Sequence, residues 1–284
     1  MNPITEPGVY DLDADIYHAD PVKGGSLSHS GIKRIMPPSC PALFKWWRDN
    51  PTTHKREFDF GHAAHKLILG KGAEIAEIDA DNYLTKKAKE AKAAAYETGQ
   101  IPMLPHEFAI AKAMAAKILE HPEASVLLDP KRGTAEQTLV WRDPATGIMC
   151  RGMVDFLTRP VTGQPYFLPD YKTSQTAAPT GLGRIMGNFG YHTAGAWYTA
   201  GVTALGIHPE PQYVLIIQEK TPPYLVTVAF PDPPAMVIGR ERCRSAVDTY
   251  IECSKADRWP GYSDEPVYIS LPPWVEREHT LESW

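Results

Sequence analysis

Two aspartates and a lysine close two neighbouring apolar runs of the sequence. Asp155 ends the first run, and Asp170-Tyr171-Lys172 ends the second. Side chains alternate between the two faces of a strand, so Asp170 and Lys172 share one face while Tyr171 lies on the other. A Pro/Gly turn separates the runs. We therefore predict a hairpin that brings both carboxylates and the lysine to one edge of a sheet.

These residue types suit metal-assisted hydrolysis of a phosphodiester. Carboxylates are hard oxygen ligands for a divalent ion such as Mg²⁺ or Mn²⁺. Lys172 could orient or deprotonate a water molecule, or neutralise charge that develops on the phosphate. The spacing alone leaves an alternative open, a solvated hairpin whose charges form a chance salt bridge.

Two further residues could join this cluster. Glu136 lies in the strand-like segment 136–141, which precedes the predicted Asp155 strand, and would be a third carboxylate. His65 lies in a segment with helical spacing and small residues, 58–70, which also contains His62. Spacing does not decide between the two histidines, and each could be a core residue, a metal ligand or a phosphate contact.

The elements that must position these residues divide into a front half and a core. We predict one domain over 1–284, with a mostly helical front half (26–128), an α/β core (129–260) and a Pro- and aromatic-rich tail (261–284) that wraps the domain. Residues 175–190 are predicted to be a Pro/Gly-rich loop before a helix over 191–205.

A short helix is predicted to begin near Ser28 and to end before Pro37-Pro38. Ser28, Ser30 and Lys33 are candidate DNA contacts, because hydroxyls, helix-terminal amides and lysines bind phosphate. Plain helix capping by the serines is an equally good interpretation.

Composition sets limits on the function. The net charge of −5 does not indicate nucleic-acid binding by bulk electrostatics, although metal-binding acids also lower this count. The four cysteines, Cys40, Cys150, Cys243 and Cys253, include no C-x-x-C pair, so we expect free thiols and no iron–sulfur cluster. No apolar run approaches the roughly 20 residues of a membrane span, and we expect a cytoplasmic protein without membrane contact.

The order of the motifs resembles the PD-(D/E)XK nuclease superfamily. Within it, the chain is similar to phage and prophage exonucleases of the exodeoxyribonuclease VIII (RecE-type) group, which are relatives of lambda exonuclease. The motifs that carry the resemblance are S-L-S-H-S-G-I-K-R-I, F-D-F-G-H-A-A-H-K-L-I-L, E-Q-T-L-V-W, G-M-V-D-F, D-Y-K-T-S, Y-H-T-A-G-A-W-Y, Q-E-K-T-P-P-Y and L-P-P-W. The resemblance implies a restriction-endonuclease-like α/β core, a central mixed sheet flanked by helices, with a helical N-terminal half.

The resemblance also implies roles for individual residues. It favours His65 over His62, and it implies a site for one or two Mg²⁺ or Mn²⁺ ions. The implied metal-site and catalytic residues are His65, Glu136, Asp155, Asp170, the backbone carbonyl of Tyr171, and Lys172.

One position departs from the family pattern. Tyr198 matches the tyrosine of the Q-x-x-x-Y helix, but Ala194 stands where the family has glutamine. Both positions are implied to lie beside the DNA, one helical turn apart. Because every implied metal ligand is retained, we expect reduced activity and not inactivity.

The resemblance implies a DNA exonuclease that resects double-stranded ends 5′→3′ in phage recombination. It further implies a ring-shaped homo-oligomer and a single-strand annealing protein (RecT-type) as partner. Two alternatives remain: a nuclease of the RecB or CRISPR-associated type, against which the cysteine spacing argues, and a DNA-binding member of the fold that is weakly active or lacks catalysis.

Overall fold

The computed structural model describes residues 2–50 and 60–281. The strands are β1 (Gly8–Tyr10), β2 (Leu27–Ser28), β3 (Ile75–Glu77), β4 (Ile101–Met103), β5 (Gly133–Arg142), β6 (Met149–Thr158), β7 (Tyr166–Ser174), β8 (Pro211–Glu219) and β9 (Val226–Ala229). The helices are α1 (Ala14–His18), α2 (His29–Ile35), α3 (Pro41–Asp49), α4 (Phe60–Leu69), α5 (Lys86–Glu97), α6 (Pro105–Glu120), α7 (Pro122–Leu127), α8 (Pro179–Phe189), α9 (Tyr191–Ala204), α10 (Pro233–Ala256) and α11 (Pro273–Leu281).

Two mixed sheets form the centre of the fold. In the first, the strand order is β1-β5-β6-β2; β5 and β6 are an antiparallel hairpin, and β2 runs parallel to β6. In the second, β7 pairs with β8 in parallel and β8 pairs with β9 antiparallel. Helices cover both, which confirms the predicted α/β class. A short parallel pair, β3-β4, stands apart.

The predicted hairpin between the Asp155 and Asp170 strands is wrong. Among the described residues β6 and β7 belong to different sheets, and β6 is instead the second strand of the β5–β6 hairpin. The reason is visible where β6 meets β7: the backbone N–H of Tyr171 donates to Oδ2 of Asp155 at 2.8 Å. The Asp155 carboxylate therefore accepts the backbone N–H of Tyr171. In a hairpin of β6 and β7 this N–H would bond to a backbone carbonyl.

Helices pack on both sides of the strands. A large apolar cluster joins α2, α9 and α10 to β5 and β6 through residues such as Ile35, Trp141, Trp197 and Val247. A second cluster joins α4 and α6 to β7 and β8 and includes Ile118 and Ile216. The strands are therefore covered on both faces, as expected for buried apolar segments.

The N-terminal arm is fixed to β6 by a buried arginine. Arg151 forms an ion pair with Asp20 at 2.8 Å, and its guanidinium also donates to the backbone carbonyls of Tyr17 and Ser26. These bonds place β2 and the start of α2 beside β6. This arm contains β1 and α1.

The predicted loop over 175–190 is wrong, because most of it is α8. Pro179 occupies the first turn of α8, and Gly190 ends it with φ of 70°, a left-handed cap that also starts α9. Three glycines within α8 obscured these two signals. The helix has no buried residue.

The described part of the tail is largely exposed, and its wrapping of the domain stays a prediction. Between α10 and α11 the residues form no regular element, and Tyr268 and Ile269 are fully or almost fully exposed. Prolines limit regular backbone pairing here.

The structure also contains no described helix long and apolar enough to cross a membrane.

Close helix packing around α9 generates a stability prediction. A Cβ on Gly239 of α10 would lie 2.4 Å from the carbonyl oxygen of His192, whereas nothing lies within 4 Å of a Cβ on Gly183 of α8. We expect Gly239→Ala to lower the free energy of unfolding by about 1–3 kcal/mol through overpacking.

Gly183→Ala is the matched control, and it should raise the free energy of unfolding by roughly 0.5–1 kcal/mol because alanine is the better helix former. Urea unfolding followed by circular dichroism measures both. Equal effects of the two substitutions would contradict the packing of α10 on α9.

Candidate active site

Five charged side chains from four elements converge where the two sheets meet. His65 comes from α4, Glu136 from β5, Asp155 from β6, and Asp170 and Lys172 from β7. Ion pairs and hydrogen bonds link them into one cluster, which contains every charged residue predicted for the metal site. The side chain of His62 lies outside the described residues.

Glu136 holds an unusual backbone conformation. It lies opposite Asp155 in the β5–β6 register, but the ladder skips this pair, and the φ of Glu136 is 48°. Left-handed backbone is costly for a residue with a Cβ and often marks a functional position. Here it accompanies a contact of 3.1 Å between the Glu136 carboxylate and Nδ1 of His65.

Asp155 is the most connected member of the cluster. Its Oδ2 accepts from the Tyr171 amide and lies 3.3 Å from Nζ of Lys172, while its Oδ1 lies 3.6 Å from Nε2 of His65. Burial opposes ionisation of this carboxyl, but Lys172 and His65 outweigh burial and hold its pKa well below the usual range. Asp155 is therefore a carboxylate.

Asp170 is almost fully buried, with 3% of its surface exposed. Its Oδ2 accepts from Nζ of Lys172 and from the hydroxyl of Tyr213 in β8, both at 2.7 Å. Burial and the nearby Asp155 raise the pKa of Asp170 to about 6. The pKa of Asp155 is thus lowered and that of Asp170 is raised, although the Lys172 ammonium contacts both carboxyl groups.

The carboxylates of the cluster stabilise the protonated forms of Lys172 and His65. Burial opposes the charge on Lys172, but Asp155 and Asp170 raise its pKa above the ordinary value. Burial likewise opposes the charge on His65, but Asp155 and Glu136 raise the pKa of His65 to about 9. Both groups are therefore cationic at neutral pH.

The donor set fits a divalent cation by its chemistry. Among the described residues, no three His, Cys, Asp or Glu side chains are arranged to hold a metal ion as they stand. The buried carboxylate of Asp170 and the half-buried carboxylate of Asp155 nevertheless share the Lys172 ammonium, and the neighbouring carbonyl of Tyr171 accepts from the same ammonium at 3.2 Å. These are hard oxygen donors, the ligands that Mg²⁺ or Mn²⁺ prefers.

The helix α9 borders the cluster on another side. Tyr198 is largely buried, and burial followed by the charges of Tyr17, Asp170 and Asp155 raises its pKa well above the ordinary value. Ala194 is buried one turn earlier in the same helix. Both positions therefore share the face of α9 that the Q-x-x-x-Y pattern implies.

A histidine that the sequence analysis missed lies next to α9. Nε2 of His29 is 3.1 Å from Oγ1 of Thr193, whose hydroxyl donates to the carbonyl of Gly190 at 2.6 Å. That hydroxyl has one proton, so Nε2 of His29 must donate and Nδ1 is unprotonated. Burial, Lys33 and Lys172 lower the pKa of His29 to about 3, so the ring is neutral.

The candidate DNA contacts on α2 lie in different environments. Ser28 is buried, and its hydroxyl accepts from the Gly31 amide at 3.2 Å, so it caps α2 and is withdrawn from the surface. Ser30 and Lys33 are exposed, and Nζ of Lys33 donates to the carbonyl of Phe189. Only the latter two side chains can reach a ligand from solvent.

The comparisons with known proteins agree with this fold. The family model described as "PDDEXK-like domain of unknown function (DUF3799)" matches residues 28–272. The chain belongs to this PDDEXK-like family. A crystal structure from Eubacterium rectale, named "Putative exonuclease", superposes with a TM-score of 0.54 over 94% of this chain and 98% of that chain, at 11% identity. A search of curated proteins finds no match.

These findings confirm the predicted superfamily and fold class, while the narrower likeness to RecE-type exonucleases stays a prediction. Sequence reasoning missed His29 and Tyr213. His29 directly follows the capping serine, and Tyr213 places a hydroxyl in an otherwise apolar buried strand, so each carried a weak local signal.

The strained conformation of Glu136 leads to a stability prediction. Glu136→Gly and Glu136→Gln both remove the charge that faces His65, but only glycine relieves the left-handed backbone. We expect Glu136→Gly to be more stable than Glu136→Gln by about 1 kcal/mol. Urea unfolding of the two variants measures this difference, and a less stable glycine variant would refute the strain.

Proposed function

We propose that this protein is a divalent-metal-dependent nuclease that hydrolyses phosphodiester bonds of DNA. The observation that carries the proposal is the shared contact of Lys172 with Asp155 and Asp170 at the meeting point of the two sheets. The PDDEXK-like family membership and the fold of the structural neighbour support the same chemistry.

Asp155, Asp170 and the Tyr171 carbonyl would hold the metal ion, and the Glu136 carboxylate lies beside them through His65, which would have to lose a proton before it could act as a ligand. A bound divalent cation supplies Lewis-acid stabilisation of charge that develops on the phosphate. Three carboxylates face two cationic side chains in this cluster, so its negative excess favours a metal ion.

The protein's own groups act as donors and positioning groups. Lys172 is an ammonium in this arrangement, so it donates hydrogen bonds to the attacking water or to a phosphate oxygen and stabilises negative charge. Tyr213 fixes the Asp170 carboxylate through its hydroxyl. His65 is oriented by Glu136 on one ring nitrogen and faces Asp155 with the other.

The likeness to RecE-type exonucleases supports a finer proposal. The substrate would be a double-stranded DNA end, degraded 5′→3′ during recombination, in concert with a single-strand annealing protein. Contacts to backbone phosphates give little sequence specificity. The exposed apolar side chains of the tail, among them Tyr262, Tyr268 and Ile269, support self-association, since large exposed apolar patches mark interaction surfaces.

The test is digestion of linear duplex DNA labelled separately at each 5′ and 3′ end, in Mg²⁺ or in EDTA. We expect metal-dependent release of nucleotides from the 5′ end. Asp170→Asn keeps the size of the side chain but removes the buried charge, and it should lower the rate by at least about 100-fold, as loss of one charge-stabilising group does elsewhere. Ala194→Gln should raise the rate.

Each outcome separates the candidate functions. Release from the 3′ end would contradict the proposed polarity but keep the nuclease. Binding of DNA without hydrolysis in any metal would favour the DNA-binding protein that lacks catalysis. An unchanged rate and DNA affinity in Ala194→Gln would refute the idea that alanine at this position limits activity.

A further inference from the structure

One exposed aromatic ring, Phe189, and one partly buried ring, Tyr191, mark the junction of α8 and α9. Phe189 and Tyr191 stack with ring centroids 5.7 Å apart and an interplanar angle of 18°. Gly190 between them has φ of 70°, a conformation that glycine adopts without strain, and it brings the two rings together. The Phe189 side of the stack is open to solvent, with 55% of the residue exposed.

The stack adjoins the candidate active site. Tyr191 packs against the apolar cluster that contains Tyr213, and the hydroxyl of Tyr213 donates to Asp170. On the other side, Lys33 donates to the carbonyl of Phe189 at 3.2 Å. The stack therefore contacts Lys33 of α2 and, through Tyr213, neighbours the candidate active site.

A small cleft of about 180 Å³ opens beside the stack. Its polar lining consists of Lys33, Asn188, Thr193 and Arg242. No acidic side chain lines it among the described residues, although the chain as a whole carries a net charge of −5. Local positive charge on an acidic protein indicates an anionic ligand.

We propose that this surface binds an unpaired nucleotide of the substrate strand, with its phosphate in the cleft and its base stacked on Phe189. The proposal rests on the proposed nuclease function and adds a single-stranded binding site to it. Exposed aromatic faces beside lysine and arginine form the usual platform for unpaired bases, because stacking is independent of sequence.

The backbone of α8 is accessible at two glycines. Nothing described lies within 4 Å of a Cβ on Gly183 or Gly187, so the helix backbone is open to close approach. An apolar protein partner would gain little from Lys33 and Arg242, whereas a nucleotide uses the rings and the charges together.

The test compares two probes that carry the same phosphates. One is a short fluorescein-labelled oligothymidylate with phosphorothioate linkages, which resist hydrolysis, and the other is its abasic counterpart. Fluorescence anisotropy in Mg²⁺ should show that the wild-type protein binds the oligothymidylate more tightly. Phe189→Ala should weaken this binding by roughly tenfold or more and remove the preference over the abasic probe.

Phe230→Ala is the matched control, because Phe230 is 54% exposed and packs against Phe167 outside the proposed surface. It should bind both probes as the wild type does. Lys33→Met together with Arg242→Met should weaken binding of both probes and leave the preference for bases in place.

Binding is measured apart from hydrolysis, so the two proposals can fail separately. If the wild type degrades duplex DNA but Phe189→Ala keeps the wild-type affinity for oligothymidylate, the nucleotide site is refuted and the nuclease stands. If no hydrolysis occurs but the Phe189→Ala effect is present, the site stands as a binding surface and the nuclease is refuted. Equal binding of the two probes by the wild type would also overturn the site.

Discussion

The carboxylate of Asp155 holds the two sheets together at the candidate site. It accepts the backbone amide of Tyr171 from β7 while its own strand, β6, remains paired with β5. It also contacts Lys172 and His65, so one buried charge fixes a strand, an ammonium and an imidazole. Removing it would leave buried cations without their main partner, which is costly.

The surrounding scaffold is built for close approach. A Cβ on Gly195 would lie 2.4 Å from the ring of Tyr213, and one on Gly152 would lie 2.9 Å from the ring of Tyr198. Gly195 of α9 allows close packing on Tyr213 of β8, and Gly152 of β6 allows close packing of Tyr198 of α9. The hydroxyl of Tyr213 then reaches Asp170. Rigid positioning of this kind keeps charged groups in place for charge that develops in a reaction.

Much of this arrangement could be predicted from local patterns. Capping of α2 at Ser28, the end of that helix before Pro37 and the helix over 191–205 depend on neighbouring residues, and each lies where the pattern indicates. Strand alternation predicts that Asp170 and Lys172 share a face, and the family resemblance implies that Glu136 and Asp155 join them, although the hairpin invoked for Asp155 is wrong. The roles of these residues in catalysis stay predictions.

What failed depends on interactions between distant residues. No local pattern reveals that Asp155 pairs through its side chain with β7, so the hairpin was assigned to the wrong strands. In α8, the glycine content led to the prediction of a loop, although Pro179 and Gly190 indicate the two ends of a helix. Helix ends carry more information than the glycine content between them. Likewise, the residue type glutamate does not indicate that Glu136 adopts a left-handed φ.

The central claim is that Asp155 and Asp170 form a site for a divalent cation. The most direct test is calorimetric titration of the wild-type protein with Mn²⁺, beside Asp155→Asn and a control, Asp143→Asn, which changes an ion pair with Arg244 outside the cluster. We expect binding by the wild type and the control, and loss of binding in Asp155→Asn. Equal binding by all three proteins, or no binding by the wild type, would contradict the account.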